Sequence, residues 1–247
     1  MNILAVIPAR MGSSRFPGKP LAEIGGKPMI GHVYERVKHC ELLSKTVVAT
    51  CDGEIFDYIK AQGGEVVMTS TEHERASDRV AEALTILEKQ DQIEYDIVVM
   101  VQGDEPMTDP EMISEALKPM IADNSINVVN LVANIVSQDE FEDRNCIKVV
   151  LDKEGNAMYF SREPIPTQSF NLDVPMQKQV CVIPFRREFL FKYQNMEPTP
   201  LEIIESVDMM RILENGFQVK MVPTSFKTSA VDTKEDLAKV RILMNDV

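Results

Sequence analysis

Five short apolar runs rich in β-branched residues, separated by stretches patterned as helices, constrain this chain more than any other feature. The runs are Ile3–Ala9, Thr46–Thr50, Glu65–Thr69, Asp96–Gln102 and Asn127–Val136. Between them, apolar spacing predicts helices over Pro28–Cys40, Gly53–Gln62, Ala76–Gln90 and Pro110–Ala122. Pro28 and Pro110 each stand where a first helical position is expected, and Asp109 suits an N-cap. Such alternation predicts an α/β fold, a doubly wound, mostly parallel sheet with helices on both faces. With 247 residues, 44% of them hydrophobic, the chain reads as a single domain spanning 1–247 with a sizeable core.

The pattern changes after about residue 140. Ile147–Leu151, a turn over Asp152–Asn156 and Ala157–Ser161 predict a β-hairpin. It belongs to an insertion over about 140–185 that reads as a partner surface, as a cover over a site or as an elaborated sheet edge. Residues 163–178, rich in Pro, Gln and Asp, read as a mobile loop. A strand (Val180–Phe185), helices (Arg187–Asn195 and Pro200–Asn215), a strand (Gln218–Pro223) and a helix (Lys234–Met244) complete the expectation.

In doubly wound sheets, ligands lie beyond the carboxyl ends of the strands. The first run leads into residues 7–20, where Arg10, Arg15 and Lys19 are interleaved with Gly12, Ser13, Ser14, Pro17 and Gly18, with no acid among them. Small residues let backbone N–H groups approach a ligand, and the cations supply charge for a polyphosphate. The spacing is not that of a Walker loop: the first glycine should fall at Ser13, and Pro20 follows the lysine. A formal net charge of −13 argues against a nucleic-acid or anionic-membrane partner and makes this cationic loop a local exception. No apolar run approaches the roughly 20 residues of a membrane span, and Met1-Asn2-Ile3 lacks a basic leader, so a cytoplasmic location is expected. Cys40, Cys51, Cys146 and Cys181 lack CxxC spacing and read as buried reduced thiols.

The fourth run ends in Gln102-Gly-Asp-Glu-Pro106, which holds Asp104 at the same crevice. That carboxylate suits Mg²⁺, a hard cation that takes one or two protein carboxylates plus phosphate oxygens. Asp232, before the last predicted helix, reads by itself as part of an N-cap box, and only pairing with Asp104 would raise it above that. The polar stretch Thr69–Arg79, with Ser77 and Arg79, reads equally as a base- or ribose-reading edge and as a solvated helix entry.

These pieces resemble the 3-deoxy-manno-octulosonate (Kdo) cytidylyltransferases. The matching stretches are Ile7-Pro-Ala-Arg10, Ser14-Arg-Phe-Pro-Gly-Lys-Pro-Leu21, Gly26-Lys-Pro-Met-Ile30, Val101-Gln-Gly-Asp-Glu-Pro106, Lys148-Val-Val150, Tyr159-Phe-Ser-Arg162, Pro164-Ile-Pro166, Pro200-Leu-Glu202 and Val231-Asp-Thr233. The resemblance implies a Rossmann-like three-layer fold of the nucleotide-diphospho-sugar transferase kind. It implies transfer of CMP from CTP to the anomeric hydroxyl of a 2-keto-3-deoxy sugar acid, with release of pyrophosphate, in lipopolysaccharide or capsule synthesis. Arg10, Arg15, Lys19 and Asp104 would then be catalytic, and Asp104 and Asp232 would hold Mg²⁺. Pro8, Ala9, Arg10, Ser14, Lys19, Ser77, Arg79 and Gln102 would bind the nucleotide. Arg162, Gln179, Phe185 and Asp208 would meet the acceptor, and the protein would be a homodimer.

The resemblance breaks at Lys178–Phe185, where Gln179 replaces a histidine and Ile183 and Phe185 replace tyrosines. Loss of hydrogen-bonding groups there points to a different choice among hydroxylated acceptors. An amino-Kdo, another nonulosonic acid, a phosphonate, or a catalytically silent nucleotide-binding protein are the alternatives.

Overall fold

The structure of the protein, a computed structural model, describes residues 1–13, 15–167 and 175–245. Its strands are β1 (Ile3–Ala9), β2 (Glu23–Ile24), β3 (Lys27–Pro28), β4 (Lys45–Thr50), β5 (Val66–Met68), β6 (Ile97–Val101), β7 (Val129–Asn134), β8 (Lys148–Leu151), β9 (Ala157–Ser161), β10 (Gln177–Val180), β11 (Val182–Arg186) and β12 (Lys220–Pro223). Its helices are α1 (Met29–Lys38), α2 (Gly53–Ala61), α3 (Ala76–Asp91), α4 (Pro110–Ala122), α5 (Gln138–Glu142), α6 (Arg187–Gln194), α7 (Pro200–Glu205), α8 (Met209–Glu214) and α9 (Lys234–Asn245).

The first sheet has the order β11-β6-β1-β4-β5; β4 and β6 flank β1 in parallel, β5 joins β4 in parallel, and β11 closes the edge antiparallel to β6. Residues of β1 alternate between two cores, as a two-residue period requires. Leu4 and Val6 pack with Val80, Leu84 and Leu87 of α3; Ile3, Ala5 and Ile7 pack with Ile30, Val33 and Val37 of α1 and with residues of α4. Helices therefore cover both faces, as expected.

The expectation of one sheet is corrected. A second five-stranded sheet, ordered β12-β7-β10-β8-β9, contains the anticipated hairpin of β8 and β9 and meets the first sheet through the antiparallel bridge Val128–Phe185. The run Val180–Phe185 is not one strand. Val180 pairs with Leu131 in the second sheet and Val182 with Val101 in the first, so the chain changes sheets at Cys181. Gln177–Lys178 is strand where a loop was expected, and residues 168–174 of that loop lie outside the described residues.

The helix expected over Pro200–Asn215 is two, α7 and α8, broken where Ser206 adopts the left-handed region at φ 52°. Arg162 secures that break: its Nε donates to Glu205 O at 2.7 Å and its Nη2 to Ser206 O at 3.1 Å. Pro28 caps α1 from the strand before it and does not open the helix, and α5 and the short β2–β3 pair were not anticipated. Asp109 does cap α4, accepting from Glu111 N at 2.9 Å.

A third, small core joins the first loop to α9. Phe16, Ile24 and Met29 are buried with Val231, Leu237 and Val240. Val231 N donates to Asp104 O at 2.9 Å, so the segment before α9 is fastened to the loop after β6.

Candidate active site

The carboxyl ends of β1 and β6 lie side by side because the strands are parallel neighbours. Gly103 lets the two loops meet: a Cβ there would stand 3.0 Å from Pro8 O and 3.2 Å from Ile30 Cδ1. Asp104 is thereby brought under the cationic loop, which turns at Gly18 with φ 75°, a conformation glycine adopts without strain.

Lys19 Nζ lies 2.7 Å from Asp104 Oδ2 and 3.3 Å from Asp232 Oδ1, and Arg15 Nη2 lies 2.9 Å from the same Asp232 oxygen. Two carboxylates 128 positions apart in the chain (232 − 104) thus converge on one point. Burial works against the Lys19 charge, but the two aspartates outweigh it and hold the ammonium above its ordinary pKa. Arg15 also bonds Asn145 Oδ1, and Arg10 Nη1 reaches His73 O at 3.4 Å. Glu105, beside Asp104, is 6% exposed; burial first and the Asp104 charge second push its carboxyl up to about 8.

Two adjoining cavities open here. The smaller, about 340 Å³, is lined by Pro8, Ala9, Arg10, Arg15, Lys19, Arg79, Gln102, Asp104 and Asp232 among others. The larger, about 680 Å³, shares Arg10, Arg15, Gln102, Asp104 and Asp232 with it and adds Arg162, Lys178, Gln179, Cys181, Ile183 and Asp208. The carboxylate pair and the cations therefore stand at the seam of two cavities. Ser14 lies outside the described residues.

Two expected site residues are not in the site. Ser77 is buried, lines neither cavity, and donates from Oγ to Asp208 Oδ2 at 3.0 Å. Phe185 is fully buried, 6.0 Å from the Tyr193 ring. It shares a strand face with Ile183, but β11 runs antiparallel to β6, so each step along it moves away from the carboxyl edge; Phe185 pairs with Val98, three residues back from Val101. Arg79 lines the smaller cavity with its head turned inward, bonding Thr69 Oγ1 and, at 3.2 Å, Ser70 O.

Other lining residues escaped the sequence reading. Arg75 lines both cavities and pairs with Asp208 at 3.2 Å, bridging α3 to the α7–α8 break. Its signal was present, as a cation inside the polar stretch Thr69–Arg79. Asp208 nevertheless sits above the ordinary carboxylate range, because burial exceeds the help from Arg75 and Ser77. Buried Lys148 donates to the carbonyls of Asp143, Cys146 and Arg162 at 2.8, 2.7 and 2.6 Å, fastening the wall of the larger cavity. Cys40 is buried, whereas Cys51, Cys146 and Cys181 are partly so; all four are free thiols. Cys146 and Cys181 line the larger cavity, and burial raises both pKa values, that of Cys146 to about 11.

No group of three or more His, Cys, Asp or Glu suited to a metal occurs among the described residues. The Asp104–Asp232 pair nonetheless fits a hard divalent cation that completes its shell with phosphate oxygens and water. Both oxygens already crowd one cationic nitrogen at the cavity seam.

A family model described as "Cytidylyltransferase" matches residues 4–227. The chain is 45% identical to a 3-deoxy-manno-octulosonate cytidylyltransferase of Geobacter metallireducens, over 97% of this chain and 96% of that one. A relative of the same description in Geotalea daltonii is 43% identical, over 100% and 99%. Among solved structures, a CMP:2-keto-3-deoxy-manno-octonic acid synthetase complexed with CTP superposes with a TM-score of 0.90 at 36% identity, covering 100% of this chain and 99% of that one.

Proposed function

The chain belongs to the 3-deoxy-manno-octulosonate cytidylyltransferase family, and from that premise we propose that it moves CMP from CTP onto a 2-keto-3-deoxy sugar acid at the seam of the two cavities. The observation that carries this reading is the convergence of Asp104 and Asp232 on Lys19 Nζ, at 2.7 and 3.3 Å. CTP occupies the smaller cavity, its triphosphate held by Arg10, Arg15 and Lys19 with Pro8, Ala9 and Gln102 along the strand ends. The sugar acid occupies the larger one, beside Arg162, Gln179 and Asp208.

In the reaction the anomeric hydroxyl gives up its proton to water as its oxygen bonds to the α-phosphorus, the bond from that phosphorus to the bridging oxygen breaks, and pyrophosphate leaves with the electron pair. Lys19 and Arg15 stand where the leaving group gathers negative charge, in a site partly shielded from water. Asp104 and Asp232 would hold Mg²⁺, which would neutralise phosphate charge when bound. Gln102 lines both cavities and its N–H is tied to Cys181 O at 3.2 Å, so the floors of the two cavities keep a fixed separation.

Pyrophosphate release tests the reading. It is expected with CTP, Kdo and Mg²⁺, and expected to vanish on chelation; no release with any 2-keto-3-deoxy sugar acid overturns it. The same reading takes the protein to be a cytoplasmic homodimer; no described helix is long and apolar enough to cross a membrane. Met158 on edge strand β9 and Ile203 and Ile204 on α7 are 62%, 61% and 75% exposed, which supports self-association beside the hairpin. Light scattering is expected to give twice the monomer mass, and a monomer at assay concentration refutes it.

A further inference from the structure

Asn130 lies on β7 with no exposed surface, and nothing in the chemistry above uses it. Its Nδ2 donates to two main-chain carbonyls, Leu131 O at 3.0 Å and Val180 O at 2.6 Å. A carbonyl only accepts, so this amide has one permissible orientation, with Oδ1 turned away from both. Facing that oxygen is Gln179 of the neighbouring β10, whose Nε2 donates to it at 2.5 Å. Since Oδ1 only accepts, the second amide is fixed as well. Gln179 Oε1 makes no hydrogen bond to the described residues, and Gln179 lines the larger cavity.

We infer that Asn130 is a positioning residue that sets the hydrogen-bond polarity of the acceptor cavity: through it, Gln179 presents a carbonyl oxygen that accepts from a hydroxyl or amine on the sugar acid. This rests on the cytidylyltransferase reading given above. The surroundings sharpen the demand. The next alternate side chains lining this cavity are Cys181, where the chain changes sheets, and Ile183 of β11, neither a strong hydrogen-bonding group. The nearby cations are already engaged, Arg162 by the carbonyls of Arg144, Glu205 and Ser206 and Lys178 by Glu140 at 2.5 Å. A substrate lacking a donor at this point leaves a desolvated carbonyl unpaired, which a site of this kind penalises.

The test uses the full chain and analogues of the sugar acid in which each hydroxyl is replaced in turn by fluorine, which cannot donate, or by an amine, which can. With the native enzyme, fluorine at one position is expected to lower kcat/KM by about tenfold or more, while the amine there is tolerated. In Gln179→Leu that fluorine penalty disappears, with KM for CTP unchanged. In Asn130→Ala, where the Gln179 amide is free to turn, the penalty shrinks and the preference for a donor is lost. If Asn130→Ala does not fold, the analogue series on native enzyme and Gln179→Leu decides the matter. A fluorine profile identical in native and Gln179→Leu enzyme, or fluorine accepted where the amine is refused, overturns the inference. Native enzyme that releases no pyrophosphate with any sugar acid removes the underlying reading, and this inference with it.

Discussion

Asp104→Ala is expected to lower kcat for pyrophosphate release by about 10³-fold or more, the several kcal/mol that a metal-centred charge clamp supplies at about 1.4 kcal/mol per tenfold. The loss has two sources. One of the two carboxylates suited to Mg²⁺ is gone, and Lys19, 2.7 Å from Asp104 in the intact protein, is left with Asp232 at 3.3 Å. The main-chain bond from Val231 N to Asp104 O survives the change, so the two loops stay joined and the thermal midpoint moves little. Asp104→Asn keeps the side-chain volume and removes the charge; it is expected to fail almost as badly. Initial-rate pyrophosphate assays over a Mg²⁺ titration, with calorimetry on the same samples, separate chemistry from folding. Turnover near the native rate in either variant would remove Asp104 from the metal site.

Arg211→Met is expected to destabilise the fold by about 3–5 kcal/mol, because it strands a buried carboxylate. Glu202 has no exposed surface and receives Arg211 in a two-pronged pair at 2.7 and 2.6 Å. The Arg211 guanidinium also lies 4.7 Å from the centre of the Tyr193 ring, and Glu202 lifts its pKa above the usual arginine value despite burial. At about 2–4 °C per kcal/mol for a chain of this size, the midpoint falls by roughly 6–20 °C. Arg75 Nε, 3.7 Å from Glu202, makes a longer ion pair with it that does not replace the two close hydrogen bonds of Arg211, and Arg75 Nη1 pairs with Asp208 at 3.2 Å. The double change Arg211→Met with Glu202→Leu is expected to recover most of the loss, since removing both charges leaves neither uncompensated. Urea unfolding of the three proteins measures it, and a single variant as stable as native would show that the pair contributes nothing.

Elements held together by local signals were legible before the structure. β1 and α4 have the bounds their apolar periods and the Asp109 cap predicted. What pairing decides was not. The run Val180–Phe185 looks like one strand because both halves are apolar, and only the partners, Leu131 on one side of Cys181 and Val101 on the other, divide it between sheets. The α7–α8 break was hidden because Arg162, about 40 residues earlier, holds the carbonyls that would have continued the helix. In the site, Arg10, Lys19 and Asp104 could be read because each follows a strand whose carboxyl end must face the crevice. Phe185 was misjudged because a shared strand face says nothing about distance along the strand. Asn130 left one signal unused, as the only polar residue between Val128 and Ala133.

The small core of Phe16, Ile24, Met29, Val231, Leu237 and Val240 has a temporal consequence. During synthesis the amino-terminal strands emerge first and begin to fold, while Asp232 is still to be made. The two large cores draw little on the segment around Asp232, so a sheet that looks finished can exist before the second carboxylate arrives. Until Val231 docks, Arg15 and Lys19 lack Asp232, the carboxylate that both of them pair with. On the proposed reading, competence is expected only once Asp232 has been made and Val231 has bonded to the loop after β6.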